Sequence, residues 1–474
     1  MGASRHRVGS SAGLYVRESL KHLPASGRML PHLENRSFRV VLNIPEALVW
    51  RDTNMANPSV KQRTTREGLT CQGCGSAGLD TVLDLGYQPL CNEFLPADDA
   101  PHPQTFYPLC LCVCHQCSLV QLDYVIPTEV AFGDQYTYLT GSSESLVKYY
   151  SQLARKLVEK FDLRPGDTVI EIGSNDGTFL KAFRALGMEV LGIDGAKRSS
   201  DIALADGIPV VQQFFGYGLT ATIKERLLPG SRIGLILAMN VLAHTDNIND
   251  FLAEATELME PDTVFVSQSH WLVALARNFE FDTIYHEHLR YYTLTSLTCL
   301  FHRHGLHVHD AEITDFYGGS ILAYAKKIAS GRSEGLMSIL AQEEQTDVVQ
   351  SLREMKWALL SNRARLLRLL VDLRISGQRV AGIGAPMKAS TLLNYYGVTA
   401  DLVEYLGEVN QLKVGTVVPG VRIPVVHEDI LFQEQPDYAL ILSWNMADFL
   451  IPKFRSRGYK GKFILPVPRV EVIE

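Results

Sequence analysis

Short apolar runs alternate with amphipathic stretches along most of this chain, and the alternation predicts its elements. Thr168-Val-Ile-Glu-Ile172, Glu189-Val-Leu-Gly-Ile193, Ile233-Gly-Leu-Ile-Leu237 and Thr263-Val-Phe-Val266 read as strands. The segments between them carry apolar residues at helical spacing. Strand and helix in alternation over about 168–327, entered by a helix-like stretch at 145–160, predict a doubly wound parallel sheet. A long helical pattern over about 335–375 reads as a connector. Beyond it, Arg379-Val-Ala-Gly-Ile383, Asp401-Leu-Val-Glu-Tyr405, Tyr438-Ala-Leu-Ile-Leu442 and Phe463-Ile-Leu-Pro466 predict a second α/β unit of nucleotide-binding type. Upstream, at about 67–125, Thr81-Val-Leu-Asp-Leu85 and Leu119-Val-Gln-Leu122 are β-like. The first 66 residues are arginine-rich and irregular, and are read as a disordered extension.

The expected class is therefore α/β, divided as extension 1–66, cysteine-rich module 67–125, first α/β domain 126–330, helical connector 331–375 and second α/β domain 376–474. With 474 residues, 46% of them hydrophobic, the chain has material for several cores. No apolar run approaches the roughly 18 residues that read as a membrane span; Gly234-Leu-Ile-Leu-Ala-Met-Asn240 is short and strand-like. A net charge of −7 offers no basic field for a phosphate backbone, so nucleic acid is disfavoured as a partner. The expectation is a cytoplasmic protein with a small-molecule substrate and no membrane partner. The oligomeric state is not legible.

Seven of the eight cysteines fall between Cys71 and Cys117. Cys71-Gln-Gly-Cys74 and Cys114-His-Gln-Cys117 are two Cys-x-x-Cys knuckles about 40 residues apart, and four such thiolates can close a tetrahedral shell on zinc. A closed shell has no open coordination position, so the zinc is expected to be structural. Cys110 and Cys112 alternate with apolar neighbours as strand residues do, Cys91 reads as core, and His115 as solvent-facing.

The first predicted strand of the sheet ends in Glu171-Ile-Gly-Ser-Asn-Asp-Gly-Thr-Phe179, a small-residue loop before a predicted helix. Gly173 lets the backbone approach a ligand, Glu171 can interact with an ammonium, and Ser174, Asn175, Asp176 and Gly177 complete the candidate cofactor-binding loop. The loop has neither the G-x-G-x-x-G spacing of dinucleotide sites nor a G-K-[ST] phosphate loop, while Asp194 closes the second strand where it could accept ribose hydroxyls. These features favour S-adenosylmethionine. Downstream, Tyr285-His-Glu-His288 crowds two imidazoles, a phenol and a carboxylate together, the materials of general-base chemistry. A strand would put Tyr285 and Glu287 on one face and His286 and His288 on the other; a loop would regroup them.

From Thr70 to Glu474 the chain resembles the sugar C-methyltransferases that act on nucleotide-linked 4-keto-deoxy sugars. The resemblance rests on both knuckles with Leu119-Val-Gln-Leu122, Asp84-Leu-Gly-Tyr-Gln-Pro-Leu90, the loop from Glu171, Asn240-Val-Leu-Ala-His244, Tyr285-His-Glu-His288, Gly382-Ile-Gly-Ala-Pro-Met-Lys388 and Trp444-Asn445. It implies a zinc-binding domain, a Rossmann-like methyltransferase domain and a C-terminal Rossmann-like domain for the nucleotide sugar. It implies His288 as the base that removes the proton beside the ketone, with Glu287 and Tyr285 in support and an active-site tyrosine at Tyr136 or Tyr138. Asn240 and His244 are implied on the substrate side, with Asn240 also at the cofactor, and Lys388 on a turn facing the diphosphate.

Three departures bear on the substrate: Gln268 where the family commonly has an acidic residue, Tyr317-Gly-Gly319 for His-Gly-Gly, and Glu408-Val-Asn-Gln411 for Asp-x-x-Pro. Two other classes share part of the pattern. A methyltransferase acting on oxygen, nitrogen or a non-sugar carbon needs the cofactor loop but, with an acceptor already nucleophilic, no His288. A zinc-containing scaffold would need neither.

Overall fold

The computed structural model describes residues 68–97, 103–132 and 138–474. The extension 1–66 and Tyr136 lie outside the described residues.

A seven-stranded sheet forms the centre, in the order His307–Thr314, Ser320–Lys326, Val264–His270, Ile233–Met239, Thr168–Ile172, Glu189–Ile193, Val210–Val211. The last five pair in parallel, and Ser320–Lys326 runs antiparallel between its two neighbours. Thr168–Ile172 and Ile233–Met239 are buried at every position, so neither alternates apolar with polar residues; Ile233–Met239 is continuously apolar, and Thr168–Ile172 is apolar but for Thr168 and Glu171. Parallel neighbours present all their carboxyl ends along one edge of the sheet, and that edge carries Glu171, Asp194 and Asn240.

The second α/β unit has a six-stranded sheet in the order Val425–His427, Leu406–Glu408, Val380–Ile383, Tyr438–Ile441, Lys462–Leu465, Glu471–Ile473. It is parallel except for the final antiparallel pair. The strand expected over 401–405 lies later, at Leu406–Glu408. Val403 and Tyr405 are buried, but from a turn, so apolar side chains there mark the core and not the ladder. The long helical pattern is two helices, Glu334–Glu344 and Val348–Ile375. Asp347 divides them: its carboxylate accepts from Gln350 N at 2.8 Å and caps the second helix.

The cysteine-rich module is an antiparallel sheet of Leu79–Pro89, Phe106–Cys114 and Val120–Leu122. Its fourth strand, Arg290–Tyr291, comes from far along the chain and begins one residue after the Tyr285-to-His288 segment. Leu95–Pro96 also pairs with Thr416–Val417 of the second α/β unit. Among the described residues, no helix is long and apolar enough to cross a membrane.

Candidate active site

The two knuckles converge. Cys71 and Cys74 sit in the turn before strand Leu79–Pro89, Cys114 ends its partner strand, and Cys117 lies in the next turn. Cys71 and Cys117 Sγ are 3.5 Å apart, as are Cys74 and Cys114, and all four sulfurs lie within 4.8 Å of one another. Zinc bonded to four sulfurs at about 2.3 Å sets them about 3.8 Å apart, so this donor set fits the ion. Cys110 and Cys112 are buried strand residues beside Thr81. His115 pairs with Asp80 at 3.1 Å in solvent. Cys91 is buried as expected, but its thiol donates to Glu287 at 3.3 Å.

At the carboxyl end of the large sheet a cleft of about 390 Å³ opens. Glu171 forms part of its floor; burial, with Asp194 and Asp176 nearby, pushes its carboxyl well above the usual range. Its Oε2 is buried without a partner, an acceptor suited to an ammonium group. Gly173 turns the chain at φ +71°, and a Cβ there would lie 2.4 Å from Val241 Cγ2. Ser174 Oγ is also buried and unpartnered. Asp194, at the end of the adjacent strand, also lines the cleft, oriented by Asn175 N at 2.8 Å and Ala196 N at 2.9 Å. These residues fit S-adenosylmethionine.

Not every residue of the loop faces the cleft. Asp176 accepts from Gly141 N at 2.7 Å and from Thr178 Oγ1 at 2.6 Å, and Gly177 is the N-cap of helix Thr178–Arg184; neither lines the cleft. Asn175, which does line it, uses its side-chain amide on Thr140 N and Tyr138 O. Asn175 and Asp176 thus hold the segment that brings Tyr138 to the cleft. The fixed spacing of a loop does not reveal which side chains turn back into protein.

The Tyr285-to-His288 segment follows a single helical turn, Phe281–Thr283, and is neither strand nor helix. His288 N donates to Tyr285 O at 2.9 Å, and this turn regroups the side chains. Tyr285 and His288 line the cleft with ring centroids 4.0 Å apart. His286 and Glu287 point toward the cysteine-rich module: His286 Nε2 lies 3.1 Å from Pro108 O, and Glu287 Oε1 accepts from Asn92 Nδ2 at 2.6 Å. His288 Nδ1 lies 2.8 Å from Thr283 O, which fixes the proton on Nδ1 and leaves the Nε2 lone pair free. Burial, and the neighbouring His244 and His270, hold His288 well below the usual imidazole range, so the ring is neutral. His244 packs edge-on against it at 4.8 Å and is itself pushed down to about 4 by burial. Burial raises Glu287 to about 7, against the opposing hydrogen bonds from Cys91 and Asn92.

The second α/β unit closes one side of the cleft. Lys388 is in the first turn of helix Met387–Tyr396, one step beyond the expected turn. Its Nζ donates to Asn445 Oδ1 at 2.8 Å, lies 3.9 Å from buried Asp282 and sits 4.6 Å over the Trp444 ring. Asn240 reaches the cleft from a left-handed turn at φ +56°. The Glu408-to-Gln411 turn supports this wall, since Glu408 Oε2 accepts from Ala385 N at 2.7 Å.

The cleft also holds an imidazole–carboxylate pair that the sequence does not single out. His270 Nε2 lies 2.9 Å from Glu280 Oε2, and both line the cleft. The signal was the Gly-Gly pair, because a Cβ on Gly318 would fall 2.1 Å from Glu280 Oε1. Gln268, in contrast, is wholly buried and does not line the cleft.

A parallel sheet with one antiparallel strand inserted near its edge, acidic side chains ending two adjacent strands, and a fused four-cysteine module define an S-adenosylmethionine-dependent methyltransferase. Three family models match in succession: a zinc-binding domain over residues 71–132, a methyltransferase domain over 146–311, and a C-methyltransferase C-terminal domain over 315–468. The chain is 33% identical over 411 residues to C-methyltransferase NovU of Streptomyces niveus, spanning 85% of this chain and 96% of that one. It belongs to the same C-methyltransferase family. A ubiquinone biosynthesis O-methyltransferase of Rhodopseudomonas palustris (strain HaA2) is 30% identical over 101 residues, 21% of this chain and 39% of the relative. Among solved structures, the CcbJ methyltransferase of Streptomyces caelestis superposes with a TM-score of 0.30 at 17% identity, covering 38% of this chain and 90% of that one.

Proposed function

We propose that this enzyme methylates a ring carbon next to the ketone of a nucleotide-linked 4-keto-deoxy sugar, with deoxythymidine diphosphate as the nucleotide, by way of an enolate. The observation that carries this reading is the neutral His288, with Nδ1 committed to Thr283 O and Nε2 free, in the same cleft as Glu171, Asp194 and Lys388.

When bound, S-adenosylmethionine supplies an electrophilic methyl group. Glu171 receives its ammonium and Asp194 its ribose hydroxyls, while Gly173 lets the backbone come close. A ring carbon is not nucleophilic until it loses a proton, and His288 Nε2 accepts that proton. Tyr285, stacked on His288, and Tyr138 stand beside the developing oxyanion, where a phenol can donate. Lys388 takes the diphosphate, held out over Trp444 by Asn445. Asn240 serves both the cofactor and the sugar, and His244 packs the base in place. Glu287 supports the segment from behind.

The test is incubation with S-adenosylmethionine and a panel of nucleotide 4-keto sugars, read by mass spectrometry. A product heavier by one methylene is expected, and deuterium should wash out beside the ketone when the cofactor is omitted. Cofactor binding with no binding of deoxythymidine diphosphate in calorimetry would overturn the sugar-nucleotide reading.

A further inference from the structure

Arg290 is 1% exposed, and its N–H groups donate to oxygens of neutral groups. Its Nε and Nη2 donate to Leu242 O at 3.2 and 3.0 Å, and Nη2 also donates to Thr245 O. Tyr292 Oη donates to the same Leu242 carbonyl at 3.0 Å. The guanidinium therefore clamps both ends of the turn that carries His244. Its remaining arm, Nη1, donates to Gln72 Oε1 at 2.6 Å. Gln72 lies inside the first cysteine knuckle, and its other polar atoms are also committed: N to Gln121 Oε1 at 2.8 Å, Nε2 to Leu122 O at 3.2 Å, and O to Asn249 Nδ2 at 2.8 Å.

The residue joining Arg290 to His288 is fixed from both sides. Leu289 N donates to Ala243 O at 2.8 Å, and Leu289 O accepts from Leu122 N at 2.9 Å. The His288 backbone thus lies between the His244 turn and the cysteine-rich sheet. A buried guanidinium is costly to desolvate unless its donors are satisfied, so its position follows its acceptors. One of those acceptors belongs to the knuckle.

Resting on the reading of His288 as the base, we infer that Arg290 is a positioning residue that ties the metal knuckle, through Gln72, to the paired imidazoles of His244 and His288. The four-cysteine module then does more than stabilise itself, because its knuckle sets where the base stands. Gln72 touches neither the cofactor loop nor the cleft, so a defect that enters through it should reach the imidazoles and spare the cofactor.

The experiment compares Gln72→Met, which loses both the acceptor for Arg290 and the donor to Leu122 O, with Gln72→Glu, which loses only that donor, in the full chain, so that their difference isolates the acceptor. Zinc content, calorimetric binding of S-adenosylmethionine, and the side-chain signals of histidine-15N-labelled protein are measured for each. For Gln72→Met we expect full zinc, cofactor affinity within about twofold of the parent, displaced His244 and His288 signals, and kcat lower by about 10- to 100-fold. Gln72→Glu should retain the parent's imidazole signals and lose far less rate. Unchanged imidazole signals in Gln72→Met, or equal losses in both variants, would overturn the relay. The imidazole signals are read without substrate, so failure of the relay is distinguishable from failure of the base assignment, which His288→Asn tests separately.

Discussion

Asn92 Nδ2 donates a 2.6 Å hydrogen bond to Glu287 Oε1, joining two side chains 195 residues apart and fixing from outside the cleft the residue that precedes His288. Burial holds the Glu287 carboxyl at about 7, so in the folded protein it keeps a proton that the unfolded chain releases near 4.5. A folded pKa raised above the unfolded one contributes stability that is complete below pH 4.5 and lost as pH rises through 7. Glu287→Gln, permanently neutral, should gain stability over the parent across that window, by about 3 kcal/mol once above pH 7. Denaturant unfolding at pH 5 and pH 8 checks this; an equal difference at both values would contradict it.

His288→Asn should lower methyl transfer by about 10²- to 10⁴-fold and slow deuterium wash-out by a comparable factor, with cofactor affinity unchanged. Wash-out at the parent's rate in the variant would remove His288 from the base role. Rapid quench for transfer and mass spectrometry for exchange are the measurements.

Gly173→Ala places a Cβ 2.4 Å from Val241 Cγ2 on backbone at φ +71°. The strain alone costs on the order of 1 kcal/mol or more, and relieving the clash moves the wall of the cofactor site. Calorimetry should find S-adenosylmethionine bound at least about tenfold more weakly.

Lys388→Met removes the cation held by Asn445 and leaves the base segment chemically intact. KM for the nucleotide sugar should rise by about 10- to 100-fold, as expected for loss of a charged hydrogen bond, with cofactor affinity unmoved. A steady-state KM that does not change would exclude Lys388 from the diphosphate site.

Cys114→Ser takes one thiolate from a set of four that lie within 4.8 Å of one another. Metal analysis should show less than one zinc per chain, and thermal unfolding a lower midpoint, with a loss on the order of several kcal/mol. The His244 and His288 signals should shift as well, because the knuckle carries Gln72.

The sequence by itself determined four of the seven strands of the large sheet, the four thiolates and the small-residue loop from Glu171, because each is local; Val210–Val211, His307–Thr314 and Ser320–Lys326 were not read from it. A strand buried on both faces is mostly apolar without alternation, a knuckle needs two cysteines at fixed spacing, and a close backbone turn needs glycine. It could not decide which side chains of Tyr285-His-Glu-His288 converge, since that follows from a turn closed between His288 N and Tyr285 O. Nor could it show that Asp176 faces away from the cleft, that Glu280 enters it beside His270, or that Lys388 stands over Trp444 next to Asp282. Only the tertiary structure placed Arg290 between the Gln72 knuckle and the His244 turn. These are contacts between segments far apart in the chain, formed by buried polar groups that must find partners, and residue spacing carries no record of which partner is found.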